Sequence, residues 1–211
     1  MIHAIDSLLL PPPPALKIIE LLPGSFSTLQ LGLIKTGLFD TISDAPHTGG
    51  TLFAPSNFAF EKLGPKINAF LFSKYGEKYL KALLQYHVVA NQTLYSDAFY
   101  KAKKESSEIG SEYFPKGRFH VDLPTLLEEK SLSIDIARWG GFITIKINGF
   151  ESIAVQDGIA KDGVIHVVSN LLIPPKTPGA AAWAGEELEL EDFKSRFDNE
   201  DAVEVVERED L

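Results

Sequence analysis

The feature that most constrains the fold is a change of hydrophobic period part-way along the chain. Up to His87, apolar residues recur three or four apart: Leu29, Leu33 and Ile34, then Phe60 and Leu63, then Leu80, Leu83, Leu84 and His87. That is the spacing of one face of a helix. From Val88 onward the pattern turns to strand. Leu132-Ser133-Ile134-Asp135-Ile136, Phe142 to Ile147, and Ile153-Ala154-Val155 alternate or stay apolar, with Gly140-Gly141 and Asn148-Gly149 as turn signals between them. Val164 to Ile173 reads as one or two nearly continuous apolar strands ended by Pro174-Pro175. Helices followed by strands specify an α+β domain rather than an alternating α/β fold.

Punctuation residues divide the helical half. Pro11 to Pro14 remove four backbone donors and make a semi-rigid spacer before the helix-patterned Ala15 to Leu22. Gly37 stops the second helix. After Gly49-Gly50, Thr51-Leu52-Phe53-Ala54 is a short strand halted by Pro55; Ser56 or Asn57 then caps a helix that Gly64-Pro65 ends. The charged, serine-rich stretch from Lys101 to Lys116 is expected to form a surface excursion.

Composition removes several classes of function. The 211 residues are 45% apolar and contain no cysteine, which excludes disulfides, thiolate nucleophiles and cysteine-ligated metals. No apolar run approaches the roughly 18 residues of a membrane-spanning helix. The net charge of −9 lies wholly in Glu186 to Leu211, with 12 acidic and 3 basic residues; residues 1–185 carry 17 of each. A neutral body with an acidic tail gives phosphate backbones no attraction, so no nucleic-acid partner is expected. The five histidines show no ligand spacing, and Gly24-Ser25-Phe26-Ser27 lacks the second glycine of a nucleophile elbow. The expectation is a non-enzyme with no metal and no cofactor. The tail after the Gly179-Ala180-Ala181-Ala182 linker has two readings: disorder, or a short acidic helix carrying Trp183, Leu190, Phe193 and Phe197 on one side.

Residues 2–12 align with residues 165–175 at a constant offset of 163, with six identities that include Ile2/Ile165, His3/His166 and the two prolines. A lone closing strand cannot bury itself, so residues 1–14 are expected to be the end of a preceding, truncated copy plus its proline linker. Residues 15–176 are then one complete domain and residues 177–211 an acidic tail.

Three blocks carry a family resemblance. Thr51 to Asn57 with Ala59-Phe60, Leu83 to Val89, and Asp162 to Val168 with Leu171 to Pro175 resemble, in order, the conserved blocks of fasciclin domains. The long proline junction and the lack of cysteine are similar to fungal members. The resemblance implies a β-wedge or sandwich with helices packed beside it, often in tandem. It also implies a secreted, glycosylated or surface-anchored protein of adhesion, matrix or cell-wall organisation, whose partners are surface or matrix proteins, glycans and neighbouring fasciclin domains. Any membrane attachment would use an anchor outside this fragment. A lipid-binding cleft and an intracellular or vacuolar scaffold are the alternatives.

By the same resemblance Thr51, Phe53, Pro55, Asn57, Gly163 and His166 are motif residues, and Tyr86, His87 and Asp157 are adhesion candidates. Adjacent aromatic and imidazole groups can offer a flat contact; alternatively, His87 closes an apolar helix and hydrogen-bonds buried backbone. His166, inside an apolar strand, reads as core. Asp157 falls where animal members carry an aspartate–isoleucine pair for integrins, but Gly158 replaces the isoleucine, so that activity is not expected. Asn91-Gln92-Thr93 is the one glycosylation sequon.

Overall fold

Helix formation begins where the proline run ends. The computed structural model describes residues 6, 10–45, 48–96, 117–128, 130–139, 142–149, 151–176, 183 and 188–198. Helix α1 (Ala15–Leu21) has no capping side chain at Pro14; instead Asp162 Oδ1 accepts from the Ala15 N–H at 2.7 Å. Helix α2 (Pro23–Lys35) opens on proline, whose missing donor costs nothing in a first turn, and gives way at Gly37 with φ +68° to α3 (Leu38–Asp44). Strand β1 (Gly50–Pro55) follows, then α4 (Asn57–Lys62), α5 (Pro65–Leu71) and α6 (Glu77–Tyr86). Ser56 is the cap of α4, its Oγ accepting from Ala59 N at 3.3 Å.

The second half is strand: β2 (Val88–Ala90), β3 (Gly117–Pro124), β4 (Ser131–Trp139), β5 (Phe142–Ile147), β6 (Glu151–Ala160) and β7 (Gly163–Val168), with a short helix α7 (Leu190–Ser195) in the acidic segment. The sheet order is β2-β1-β7-β6-β5-β4-β3, antiparallel except for β1 beside β7. It curls into a half-barrel beside the helices, the α+β fold expected from the sequence. Leu126 N donates to Val88 O at 2.8 Å, joining the chain after β3 to β2 at the far end of the sheet.

Two apolar cores lie on opposite sides of β1. Leu52 and Ala54 join the helical core of α1–α6, whereas Phe53 joins a sheet core with Tyr86, Ile134, Ile136, Ile145 and Ile147. A strand buried on both faces needs apolar residues at every position, which is why Thr51 to Ala54 shows no alternation.

The structure differs from the sequence reading in three places, the first being strand β3, which is not among the runs read from the sequence. The closing strand stops at Val168, because its neighbour β1 ends at Pro55 and Ser56 N already takes Val168 O at 3.3 Å. Leu171, Leu172 and Ile173 continue as buried irregular chain. Strand β6 runs well past Val155 through Asp157 and Gly158, with register shifts at Val155 and before Gly158. The expected excursion at Lys101 to Lys116, most of the residue 2–12 repeat and Gly140-Gly141 lie outside the described residues.

The parallel pair starts with two glycines in close approach. A Cβ on Gly163 would collide with the Gly50 carbonyl oxygen and lie 2.9 Å from the Gly50 carbon and nitrogen. Gly163→Ala is expected to cost about 3 kcal/mol, seen as a lower urea midpoint at unchanged m value; a midpoint equal to that of the parent would contradict the close pairing.

Candidate functional site

Helix α6 ends by sending two consecutive side chains to different places. Tyr86 enters the sheet core with 0% exposure; its hydroxyl donates to Ser131 O at 3.2 Å and accepts from Asn148 Nδ2 at 3.2 Å. Burial pushes its pKa up to about 12. His87 is also 0% exposed. Its Nδ1–H donates to Leu83 O at 2.8 Å and its Nε2 accepts from Leu172 N at 2.9 Å. One ring nitrogen must carry a proton and the other must not, so the ring is neutral, and burial pushes its pKa down to about 4.

A second imidazole organises the neighbouring edge. His166, also 0% exposed, donates from Nε2 to Leu94 O at 2.7 Å and accepts at Nδ1 from Asp157 N at 3.3 Å. The Phe53 ring stacks on it, with centroids 5.6 Å apart and planes at 24°. Asp157 has φ +58° within the second register shift of β6, between Val155 and Gly158. Its carboxylate accepts from Ser96 N at 2.8 Å and from Ser96 Oγ. Ser96 O in turn accepts from Arg138 Nε at 3.1 Å and Nη2 at 2.6 Å.

Thr51 laces the same segment to β1, donating to Gln92 O at 2.8 Å and accepting from Leu94 N at 2.9 Å. Thr51, Phe53, Asp157 and His166 therefore converge on residues 92–96. The side chains of Tyr86 and His87 at the end of α6 make their hydrogen bonds elsewhere, although His87 O accepts from Phe53 N at 2.9 Å and Tyr86 shares the sheet core with Phe53. Asn57 is elsewhere again: it accepts from Thr28 N at 3.0 Å and donates to Gly24 O at 3.2 Å, clipping α2 to α4. Pro55 is buried at the end of β1. Asn91 is exposed at φ +60°, with Oδ1 accepting from Thr48 N at 3.1 Å.

Sequence reasoning passed over Arg138, Ser96 and the second role of Asn148. A signal for Arg138 was present, since it is the fourth inward position after Leu132, Ile134 and Ile136. Asn148 read as a turn residue, and it does form the turn at φ +51°, but its side chain also bridges Ser133 N and the Tyr86 hydroxyl.

The surface offers two other features. An apolar cleft of about 130 Å³ lies between Leu16, Ile42, Leu52, Val88 and Val164. On the outward side of the β4–β5 hairpin, the cross-strand partners Trp139 and Phe142 are 76% and 80% exposed. Further along that face His120 contacts Asp135 at 2.9 Å and Asp122 at 3.4 Å, and its pKa is raised chiefly by the Asp135 hydrogen bond. Among the described residues no cluster of three or more His, Asp or Glu could hold a metal, and no helix is long and apolar enough to cross a membrane.

The fasciclin domain model matches residues 24–174, which include the first two sequence blocks, the third as far as Pro174, and the histidine pair described above. The chain belongs to the fasciclin domain family. The chain is 35% identical over 185 residues to aurofusarin biosynthesis cluster protein S of Gibberella zeae, covering 82% of this chain and 45% of the relative. It is 28% identical over 160 residues to fasciclin-like arabinogalactan protein 16 of Arabidopsis thaliana, covering 74% and 31%. The chain thus spans less than half the length of these curated relatives. A solved domain pair from the insect cell adhesion molecule Fasciclin I shares the fold, with a TM-score of 0.51 and 18% identity over 76% of this chain and 46% of that one. Fasciclin domains are associated with cell-adhesion and extracellular-matrix proteins.

The buried imidazoles make the fasciclin domain acid-sensitive. His87 is lowered from 6.5 to about 4, so as pH falls the unfolded chain takes up a proton before the folded one. The stability is complete above pH 6.5 and is lost as pH falls through about 4, roughly 3 kcal/mol in total at 1.36 kcal/mol per pKa unit. His166, lowered by burial, acts in the same direction. Urea midpoints between pH 7 and pH 4 should fall, and His87→Gln should be less stable at pH 7 with a flatter profile; an unchanged profile would contradict the assignment.

Proposed function

We propose that this domain is a non-enzymatic adhesion or wall- and matrix-organising module whose contact surface is the outward face of β4 and β5. The observation that carries this reading is the exposed pair Trp139 and Phe142. Single exposed aromatics are ordinary, but two aromatic residues paired across neighbouring strands put apolar surface on one face that a protein or a sugar ring can cover. Tyr86 and His87 then serve adhesion only indirectly, by holding the fold, because neither has an atom at the surface. Asp157, tied to Ser96, has the same supporting part.

The solved neighbour is a domain pair, and the residue 2–12 repeat fits an array in which residues 1–14 end one domain and residues 15–176 form the next. Pro13 O accepts from Lys161 N at 3.0 Å and Asp162 accepts from Ala15, so the β6–β7 turn would set the angle between such neighbours. Weak contacts repeated along an array gain affinity through effective concentration. The lipid-binding alternative has less support, because a cleft of about 130 Å³ is below the roughly 300 Å³ at which small-molecule sites begin.

Trp139→Ala with Phe142→Ala should lower attachment of the protein to cells or wall preparations at unchanged melting temperature; undiminished attachment would remove this surface. Tyr86→Ala and His87→Ala should each lower the melting temperature. Asn91 lies exposed in a turn suited to glycosylation in a secreted protein. Protein from its native host should lose mass on N-glycosidase treatment, and Asn91→Gln should abolish that shift; no shift in the parent would argue against modification.

A further inference from the structure

The family match ends at residue 174, but the packed structure continues beyond it. Trp183 is 6% exposed and Phe193 0% exposed, and both belong to the helical core together with half-buried Leu188, Leu190 and Phe197. The receiving face is built by α5 and α6, where Phe70 and Tyr79 form a ring pair 5.4 Å apart. Lys194 Nζ lies 5.1 Å above the Phe70 ring, and the Tyr79 hydroxyl donates to Asp198 at 3.1 Å.

Charge is complementary across this contact. Lys66 faces Glu189 at 3.8 Å, Lys78 faces Asp198 at 3.7 Å, and Lys176 pairs with Asp192. Arg196 Nη1 donates to Pro174 O at 3.3 Å. Helix α7 is only six residues long, far below the length at which a helix holds itself in water, so the groove supplies its order. Phe193 and Phe197, four apart, place their rings 5.0 Å from each other on the docked side.

We propose that the α5–α6 face is a docking groove for an acidic helix and its C-terminal turn, which together bear two aromatic residues four apart, and that Trp183 and residues 188–198 fill it in cis. The mode is helix-in-groove recognition: aromatic anchors give the affinity and the lysine rim selects an acidic segment. An occupant on the same chain has the advantage of high effective concentration. A partner helix of the same chemistry therefore gains the groove only by displacing the tail.

The test uses the full chain carrying Trp139→Phe, which leaves Trp183 as the single tryptophan, and a dye-labelled peptide of residues 188–198. Trp183 emission should be blue-shifted in the parent and move to the red as peptide is added. Phe193→Ala should shift the emission without peptide and tighten peptide binding by about tenfold or more. A peptide with Asp192 and Asp198 replaced by lysine should not bind. Where Phe193→Ala also loses helical circular dichroism, the full chain with Asp192→Lys and Asp198→Lys, which keeps every apolar residue, replaces it. Failure of the tail-released chain to bind the parent peptide more tightly than the parent chain does would overturn the proposal.

Discussion

The ring of His87 accepts the Leu172 N–H and passes its own N–H to Leu83, and the long-range order of the domain converges on that link. Leu171 and Ile173 pack into the helical core and Leu172 into the sheet core, so the imidazole grips the closing segment where it divides between the two. His87 O also accepts from Phe53 N at 2.9 Å, which brings β1 to the same point. An imidazole suits the position because it donates on one side and accepts on the other while remaining neutral and largely apolar. Removing it would leave the buried Leu172 donor without a partner, at a cost of about 1–3 kcal/mol.

That arrangement separates holding the fold from meeting a partner. Tyr86 and His87 are adjacent in sequence and both fully enclosed, and Asp157 has its carboxylate occupied by Ser96. The proposed contacts fall instead to the outward rings of β4 and β5, which the cores do not use, and to the lysine rim of the α5–α6 face, whose Tyr79 is itself part of the helical core. Trp139 and Phe142 lie on the outward side of the sheet, so substitutions there are expected to leave the link at His87 intact.

Local order was legible because local rules produced it. The 3.6-residue period of Leu80, Leu83 and Leu84 gave α6, the period-2 run at Leu132 to Ile136 gave β4, and Pro55 and Gly64 marked ends. The three fasciclin blocks were legible for the same reason, as short contiguous motifs. Partners far apart in sequence were not. Asp162 reaches Ala15 across 147 positions, Asn148 reaches Tyr86 across 62 and Arg138 reaches Ser96 across 42. No periodicity encodes such pairs. The closing apolar run misled because burial alone makes a sequence apolar, and Leu171 to Ile173 are buried without strand pairing. The docked acidic segment was ambiguous because net charge favoured solvent while Trp183, Phe193 and Phe197 favoured a core.

The most direct measurement is nitrogen NMR of the protein with labelled histidine. For His87 the account predicts a neutral ring with protonated Nδ1 and bare Nε2, and no titration until the pH nears about 4. A His87 ring protonated on Nε2, or one that titrates near 6.5 like a free imidazole, would contradict the link between α6 and Leu172 on which the fold is argued to depend.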